Sequence, residues 1–346
     1  PDMTEIKPQG ALRDGWSAEM GDYAICCEWA LDGDILLVAD VLGAIKAFDS
    51  KSGRVLWQQH ESHNGSLLTM RVHPDGKSLV TAGQDGRVLI LDAGDGGRIG
   101  AIDLGPSWIE HTAWSPGGKW LAASCSRKVH VFDSDYREEW QSGAHPSTVS
   151  AIAWSDGQEL ATACFGRVTF YDMATKNVRQ KLEWQGSLVS MVLSPDGDIV
   201  ACGSQDNSVH FWRRSTGNDS QMSGYPWKPS NLAFDSTGTL LATGGGEIIT
   251  VWSFQGDGPE GTRPGELDLH GKPVSSLTFA PRGRRLASGA RDGSVVVWSI
   301  EDDGQGGVIG VASVKDAISN VAWRPDGRAL AATSAAGAVT TWRVST

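Results

Sequence analysis

An all-β chain of repeated four-stranded antiparallel units is predicted by three observations. First, a Gly-containing turn recurs through the sequence, at Asp32-Gly33, Asp75-Gly76, Gly117-Gly118, Asp156-Gly157, Asp196-Gly197, Thr237-Gly238, Arg282-Gly283 and Asp326-Gly327, a period of roughly 40–45 residues. Second, each turn is followed by an Ala/Thr/Ser-rich apolar run, another turn and an aromatic-rich run, with run lengths suited to short strands. Third, a bulky side chain ends the last run at one equivalent place in each copy: Phe48, Leu91, Phe132, Tyr171, Trp212, Trp252, Trp298 and Trp342. A unit of this size cannot bury its apolar faces alone, so the copies must stack. The expected fold is a closed eight-bladed β-propeller; in the seven-bladed alternative residues 23–57 lie outside the ring.

Within a unit the strands are named a to d. The clearest copy has strand a in the segment Val274–Gly283, strand b at Leu286-Ala-Ser-Gly and strand c at Val295-Val-Val-Trp298. Strand d is more variable, as in Arg54-Val-Leu-Trp57 or Val308-Ile-Gly-Val311. Asp85-Gly86 and Asp292-Gly293 supply the positive φ that a tight b-to-c hairpin needs. The stretches from Gln255 to Glu266 and from Glu301 to Gly307 are Gly- and acid-rich and are expected to be surface loops. The last unit reaches Thr346 without a strand d, and residues 11 to 17 precede the first strand a without a unit of their own. Leu12 to Trp16 is therefore expected to pair beside the final strand c, completing the last blade and removing two sheet edges. Residues 1–10 are expected to be a tail, with Pro1-Asp2 left from cloning, and residues 11–346 a single domain.

The pairs Phe48-Asp49, Leu91-Asp92, Phe132-Asp133, Tyr171-Asp172, Trp212-Arg213, Trp252-Ser253, Trp298-Ser299 and Trp342-Arg343 resemble the strand ends of the WD-repeat β-propellers, and the resemblance extends from about residue 11 to the end. It implies a hydrogen-bonded set of His, Ser or Thr, Asp and Trp that holds each blade together. The seventh unit has all four in His270, Ser288, Asp292 and Trp298. The second keeps His63, Thr81 and Asp85, and the fourth keeps His145 and Thr162 with Gly166 in place of the Asp. A His, a Ser and an Asp could suggest a catalytic triad, but this set follows the repeat and is expected to be structural. The resemblance also implies that the d-to-a and b-to-c loops share one face, which partners use.

Composition narrows the function. Thirty Lys and Arg against 41 Asp and Glu leave a net charge of −11, which disfavours nucleic-acid backbone binding and favours a basic or neutral partner. Cys26, Cys27, Cys125, Cys164 and Cys202 have no paired spacing that suggests a disulfide framework, and adjacent Cys26 and Cys27 point to opposite faces of a strand. Reduced thiols and no metal site are expected. No apolar run approaches a membrane span and residues 1 to 15 lack signal-peptide organisation. The expectation is a cytoplasmic monomer with no membrane partner and no cofactor.

The repeat accounts for most of the fifteen tryptophans but not for Trp108 and Trp227, which stand ahead of the strand-a anchors Trp114 and Phe234, nor for Tyr23 ahead of Trp29. Large rigid rings at loop ends suit interface anchors, and Glu110 is placed to rim the channel beside them. Arg282, Arg284, Arg285, Arg324 and Arg328, from two successive a-to-b loops, form the basic cluster of an acidic chain and suit a phosphorylated or acidic segment. The rival reading is enzymatic. Ala47-Phe-Asp49, Gly53 and Trp57 resemble the blade-docking pattern of quinoproteins, which also packs blades in cofactor-free relatives; a small-molecule sensor using the central channel is a further alternative. No phosphate loop, nucleophile elbow or carboxylate pair accompanies it. The sequence therefore predicts a non-catalytic scaffold that binds a protein or peptide through Trp108, Trp227, Tyr23 and Glu110.

Overall fold

The computed structural model describes residues 6–60, 62–256 and 258–345; Pro1-Asp2 lies outside them. All the regular structure is antiparallel β apart from one short 3-10 turn at Leu31–Gly33. Strand b is buried along its length, with Leu36, Leu37, Val38 and Ala39 all fully enclosed. Small and β-branched residues there let neighbouring sheets pack closely on both faces.

The strands fall into two compact units. One comprises the described residues of Pro1–Asp40, Lys46–Leu56 and Tyr225–Thr346. Here Asn231–Phe234, Leu240–Gly244, Ile249–Ser253 and Gly265–Leu267 form one four-stranded sheet. Val274–Phe279, Arg285–Ala290, Ser294–Ile300 and Gly306–Ser313 form the next, and Gln9–Gly10 adds a fifth strand to its edge. Ile318–Trp323, Ala329–Ser334 and Ala338–Val344 take Leu12–Glu19 as their fourth strand, with Leu12 opposite Val344 and Glu19 opposite Ala338. The N-terminal segment thus completes the sheet of the last repeat. A further sheet runs Ala24–Ala30, Ile35–Asp40, Ile45–Asp49 and Val55–Gln59.

The other unit comprises Val41–Ile45 and Trp57–Gly224. Leu67–Val72, Ser78–Gly83, Arg87–Asp92 and Arg98–Asp103 form one sheet, and Ile109–Trp114, Leu121–Cys125, Lys128–Phe132 and Glu138–Gln141 another. The remaining sheet has six strands: Ala151–Trp154, Glu159–Asp172, Asn177–Leu193, Ile199–Ser204, Val209–Arg213 and Asn218–Met222.

This sheet corrects the eight-bladed expectation. The eight copies of the repeat fold into seven sheets, so the chain is a seven-bladed propeller, with the fourth and fifth copies sharing one sheet. Asn177–Leu193 pairs with Glu159–Asp172 through its first part and with Ile199–Ser204 through its last. It is strand d of one copy and strand a of the next. The physical reason lies in Glu183-Trp-Gln-Gly-Ser-Leu188, which has no Pro and no Asp-Gly turn to break the extended chain, unlike the Leu104-Gly-Pro-Ser107 connection one copy earlier.

The quinoprotein-like pattern is a packing device. Trp57 Nε1 donates to the Ala93 carbonyl at 2.9 Å, and its ring lies on Gly96, whose φ is +74°. Trp16 repeats the arrangement, donating to the Ser50 carbonyl at 2.9 Å with its ring on Gly53 at φ +69°. A Cβ on Gly96 would stand 2.6 Å from the Trp57 ring. Gly96→Ala is expected to destabilise by about 2–4 kcal/mol, from overpacking plus an unfavourable φ; an unchanged chemical-denaturation midpoint would refute this docking.

Candidate functional site

The polar set that recurs along the chain forms internal hydrogen-bonded braces. His270 Nε2 meets Ser288 Oγ at 2.7 Å and its Nδ1 meets Ser294 Oγ at 2.5 Å. Trp298 Nε1 donates to the same Ser288 Oγ at 2.8 Å. Asp292 reaches His270 through Ser294 and accepts from the Gly271 N–H at 2.6 Å. In the second copy His63 contacts Asp85 and Thr81 directly, both at 2.9 Å. Where Gly166 replaces the Asp, His145 Nδ1 donates to the Arg127 carbonyl at 2.9 Å, and Nε2 meets Thr162 at 2.9 Å. Every bond in these sets is internal, and each contributes about 1 kcal/mol.

Sequence reasoning missed one member of this series. Tyr225 takes the place of the His ahead of Asn231–Phe234: its hydroxyl lies 2.8 Å from Thr243 Oγ1 and accepts from Trp252 Nε1 at 3.1 Å. The signal was spacing, since Tyr225 precedes Thr243 by the same interval that separates His270 from Ser288 and His63 from Thr81.

These histidines make stability depend on pH. Burial pulls His270 and His111 down to about 4, and burial lowers His63 and His145 as well. In the unfolded chain each titrates near 6.5. Between pH 6.5 and 4 the unfolded chain binds protons that the folded one refuses, so stability is complete above 6.5 and falls as pH drops. His270, 4% exposed, accounts for on the order of 2 kcal/mol of loss at pH 5. The melting temperature should fall from pH 7 to pH 5, and less steeply in His270→Gln.

Tyr23, Trp108 and Trp227 all lie in connections that lead into a strand a, and they are 40%, 53% and 62% exposed. Trp227 is fixed by its backbone, whose N–H donates to the Gly245 carbonyl at 2.9 Å. Glu110 sits at a β-bulge: Ile109 pairs with Cys125 and His111 with Ser124, leaving Glu110 unpaired and exposed. The same slip occurs between Ala24 and Cys26, Leu67 and Thr69, and Val274 and Ser276, so the first turn of strand a regularly re-aims one side chain.

Exposed apolar residues that the sequence did not single out join the aromatic ones. Leu42 and Ile248 lie in b-to-c connections and Leu269 in a d-to-a connection, while Phe165 lies within the long strand Glu159–Asp172, opposite Ser187; all are more than 40% exposed. The other exposed large apolar side chains among the described residues, Val55, Leu56, Ile99, Val178 and Val308, lie on strand d. The a-to-b and c-to-d connections contribute none among the described residues.

The predicted arginine cluster divides. Arg284 is paired with Asp302. Arg285 donates to the Gly327 carbonyl at 3.1 Å and lies over the Trp323 ring. Arg324 forms a two-point pair with Asp326 at 2.9 and 2.6 Å, which raises its basicity further and depresses the Asp326 carboxyl. Arg282 and Arg328 are exposed. Arg324 and Arg328 line a cavity with Lys51 and Arg343, which are distant in sequence and were not predicted.

All five cysteines are buried, and burial pushes Cys27 and Cys202 well above their ordinary range. Among the described residues no group of three His, Cys, Asp or Glu is placed to hold a metal ion, and no helix is long and apolar enough to cross a membrane.

These elements define an all-β propeller that exposes apolar side chains in several of its loops. Residues 103–133, 177–213 and 261–299 match the WD domain, G-beta repeat family, while residues 15–106 match the family described as outer membrane protein assembly factor BamB. The chain is similar to actin-interacting protein 1 of Caenorhabditis elegans, 24% identical over 70% of this chain and 41% of that protein. It is also similar to the serine-threonine kinase receptor-associated protein of Dictyostelium discoideum, 25% identical over 84% of this chain and 98% of that protein. The chain spans less than half the length of several relatives it matches. In fold it resembles the crystal structure of the computationally designed Ika8 protein, with a TM-score of 0.82 over 97% of this chain and 100% of that one at 19% identity. In its matched repeats and in its fold the chain is thus similar to the WD-repeat β-propellers.

Proposed function

We propose that this protein is a non-catalytic, intracellular, monomeric scaffold that binds a protein or peptide through its d-to-a and b-to-c connections. The observation that carries this reading is the concentration of exposed Tyr23, Trp108, Trp227, Leu42, Ile248 and Leu269 in those connections. Exposed rings on short, hydrogen-bonded loops lose little entropy on binding, and their desolvation supplies most of an interface's affinity. Glu110 and the net charge of −11 steer a basic or neutral partner toward these anchors. The names of the relatives, actin-interacting and receptor-associated, accord with an interaction role.

The test compares affinity capture by the intact protein with capture by Trp108→Ala/Trp227→Ala, followed by a titration with each purified candidate partner. Both rings are largely exposed, so stability should change by about 0.5 kcal/mol or less per site. A true partner should bind the double variant about 30-fold or more weakly, equivalent to at least ~2 kcal/mol. Equal capture by both proteins would refute the assigned surface.

A further inference from the structure

A concentration of positive charge lies where the N-terminal strand meets the last one. Leu12–Glu19 follows Ala338–Val344 in register at both ends but slips between Asp14 and Ser17. The slip turns Trp16 out of the ladder: its N–H donates to Thr341 Oγ1 at 3.0 Å, and Thr341 Oγ1 donates to the Trp16 carbonyl at 3.1 Å. The Trp16 ring turns onto Ser50 and Gly53. A cavity of about 460 Å³ opens beside the slip, floored by Trp16 and rimmed by Lys51, Arg324, Arg328 and Arg343, with Asp14 as its acidic member.

Arg324 is held by Asp326, and Arg343 Nε donates to the Asp14 carbonyl at 3.3 Å, a neutral acceptor. Lys51 and Arg328 have no ion pair among the described residues, and both are exposed. Four cations line the cavity against the single lining carboxylate of Asp14, while Asp326 and Asp34 act on Arg324 from outside the lining, so the lining is positive in a chain whose overall charge is −11. Side by side, such groups repel one another unless an anion joins them.

We propose that this cavity binds a phosphate monoester, whose two charges and three terminal oxygens match Lys51, Arg328 and Arg343 as donors. The cavity is larger than inorganic phosphate requires, which leaves room over the Trp16 ring for the group that carries the phosphate. The site is assembled by the N-terminal strand, so occupancy stabilises the pairing of Leu12–Glu19 with Ala338–Val344 by linkage. This proposal stands apart from the aromatic docking surface, and neither depends on the other.

Calorimetric titration with inorganic phosphate, O-phosphoserine and acetate at low salt tests it. Both phosphates should bind at least about tenfold more tightly than acetate and raise the melting temperature. Lys51→Glu/Arg328→Glu should weaken phosphate binding by about tenfold or more, Lys51→Met/Arg328→Met should also weaken it, and Arg282→Glu should leave it within about twofold. Tighter binding of O-phosphoserine than of phosphate would assign the site to phosphorylated side chains, and equal binding to the free ion; either supports the site. Absence of saturable phosphate binding up to about 10 mM, or equal weakening by Arg282→Glu and by either double variant, would overturn it.

Discussion

Truncation of the chain ahead of Glu19 is expected to lower the melting temperature by about 10 °C or more. Leu12 is fully buried in a cluster with Ala312, Trp342 and Val344, so its loss alone removes a core side chain. Leu12→Ala isolates that part and should cost about 2–5 kcal/mol. The truncation adds the loss of the ladder to Ala338–Val344 and of the Gln9–Gly10 pairing with Val311 and Gly310. It also leaves Trp342 and Val344 on an uncovered edge, a template for association between chains. A synthetic peptide covering residues 6–19 should restore the melting temperature in proportion to its concentration, because it binds only the folded chain. Unchanged melting of the truncated protein would show that the strand is an ornament.

Why was so much of this fold legible and so little of its sites? Turn glycines and the apolar b strands are local signals, readable from a few neighbouring residues. The His270–Ser288–Asp292–Trp298 brace was legible because the repeat supplied an internal alignment, and the same spacing would have exposed Tyr225. The sharing of one sheet by two copies was not legible as such. It depends on whether the backbone stays extended from Trp184 to Ser187, where the ladder slips between Glu183 and Ser187. The basic cavity was half visible: Arg324 and Arg328 lie in one loop, but Lys51 and Arg343 join them only once the strands are paired. Arg284 and Arg285, close in sequence to the expected cluster, are committed to Asp302 and to the Gly327 carbonyl.

Arg214→Ala is the point substitution expected to destabilise the six-stranded sheet most, by about 3–5 kcal/mol. Glu159 begins one strand of that sheet and is only 3% exposed. Arg214 follows Val209–Arg213 and clamps both carboxylate oxygens at 2.8 and 2.9 Å. The same guanidinium donates to the Gly197 carbonyl and to Gln180 Oε1 and lies 3.7 Å from the Phe170 ring centroid. Ser155 Oγ donates to Glu159 at 2.5 Å, and Arg179 stands 3.3 Å away on the exposed side. Removing Arg214 leaves a buried carboxylate facing only Ser155 and a solvated guanidinium, which is why the loss exceeds what the pair contributes net. Arg214→Lys should rescue little, because one ammonium cannot reproduce the two-point clamp or the stacking on Phe170. Glu159→Leu/Arg214→Met removes both charges at similar volume and should recover most of the stability. Urea denaturation of the three variants separates the possibilities: if the double variant is as unstable as Arg214→Ala, packing rather than the unpaired charge governs this site.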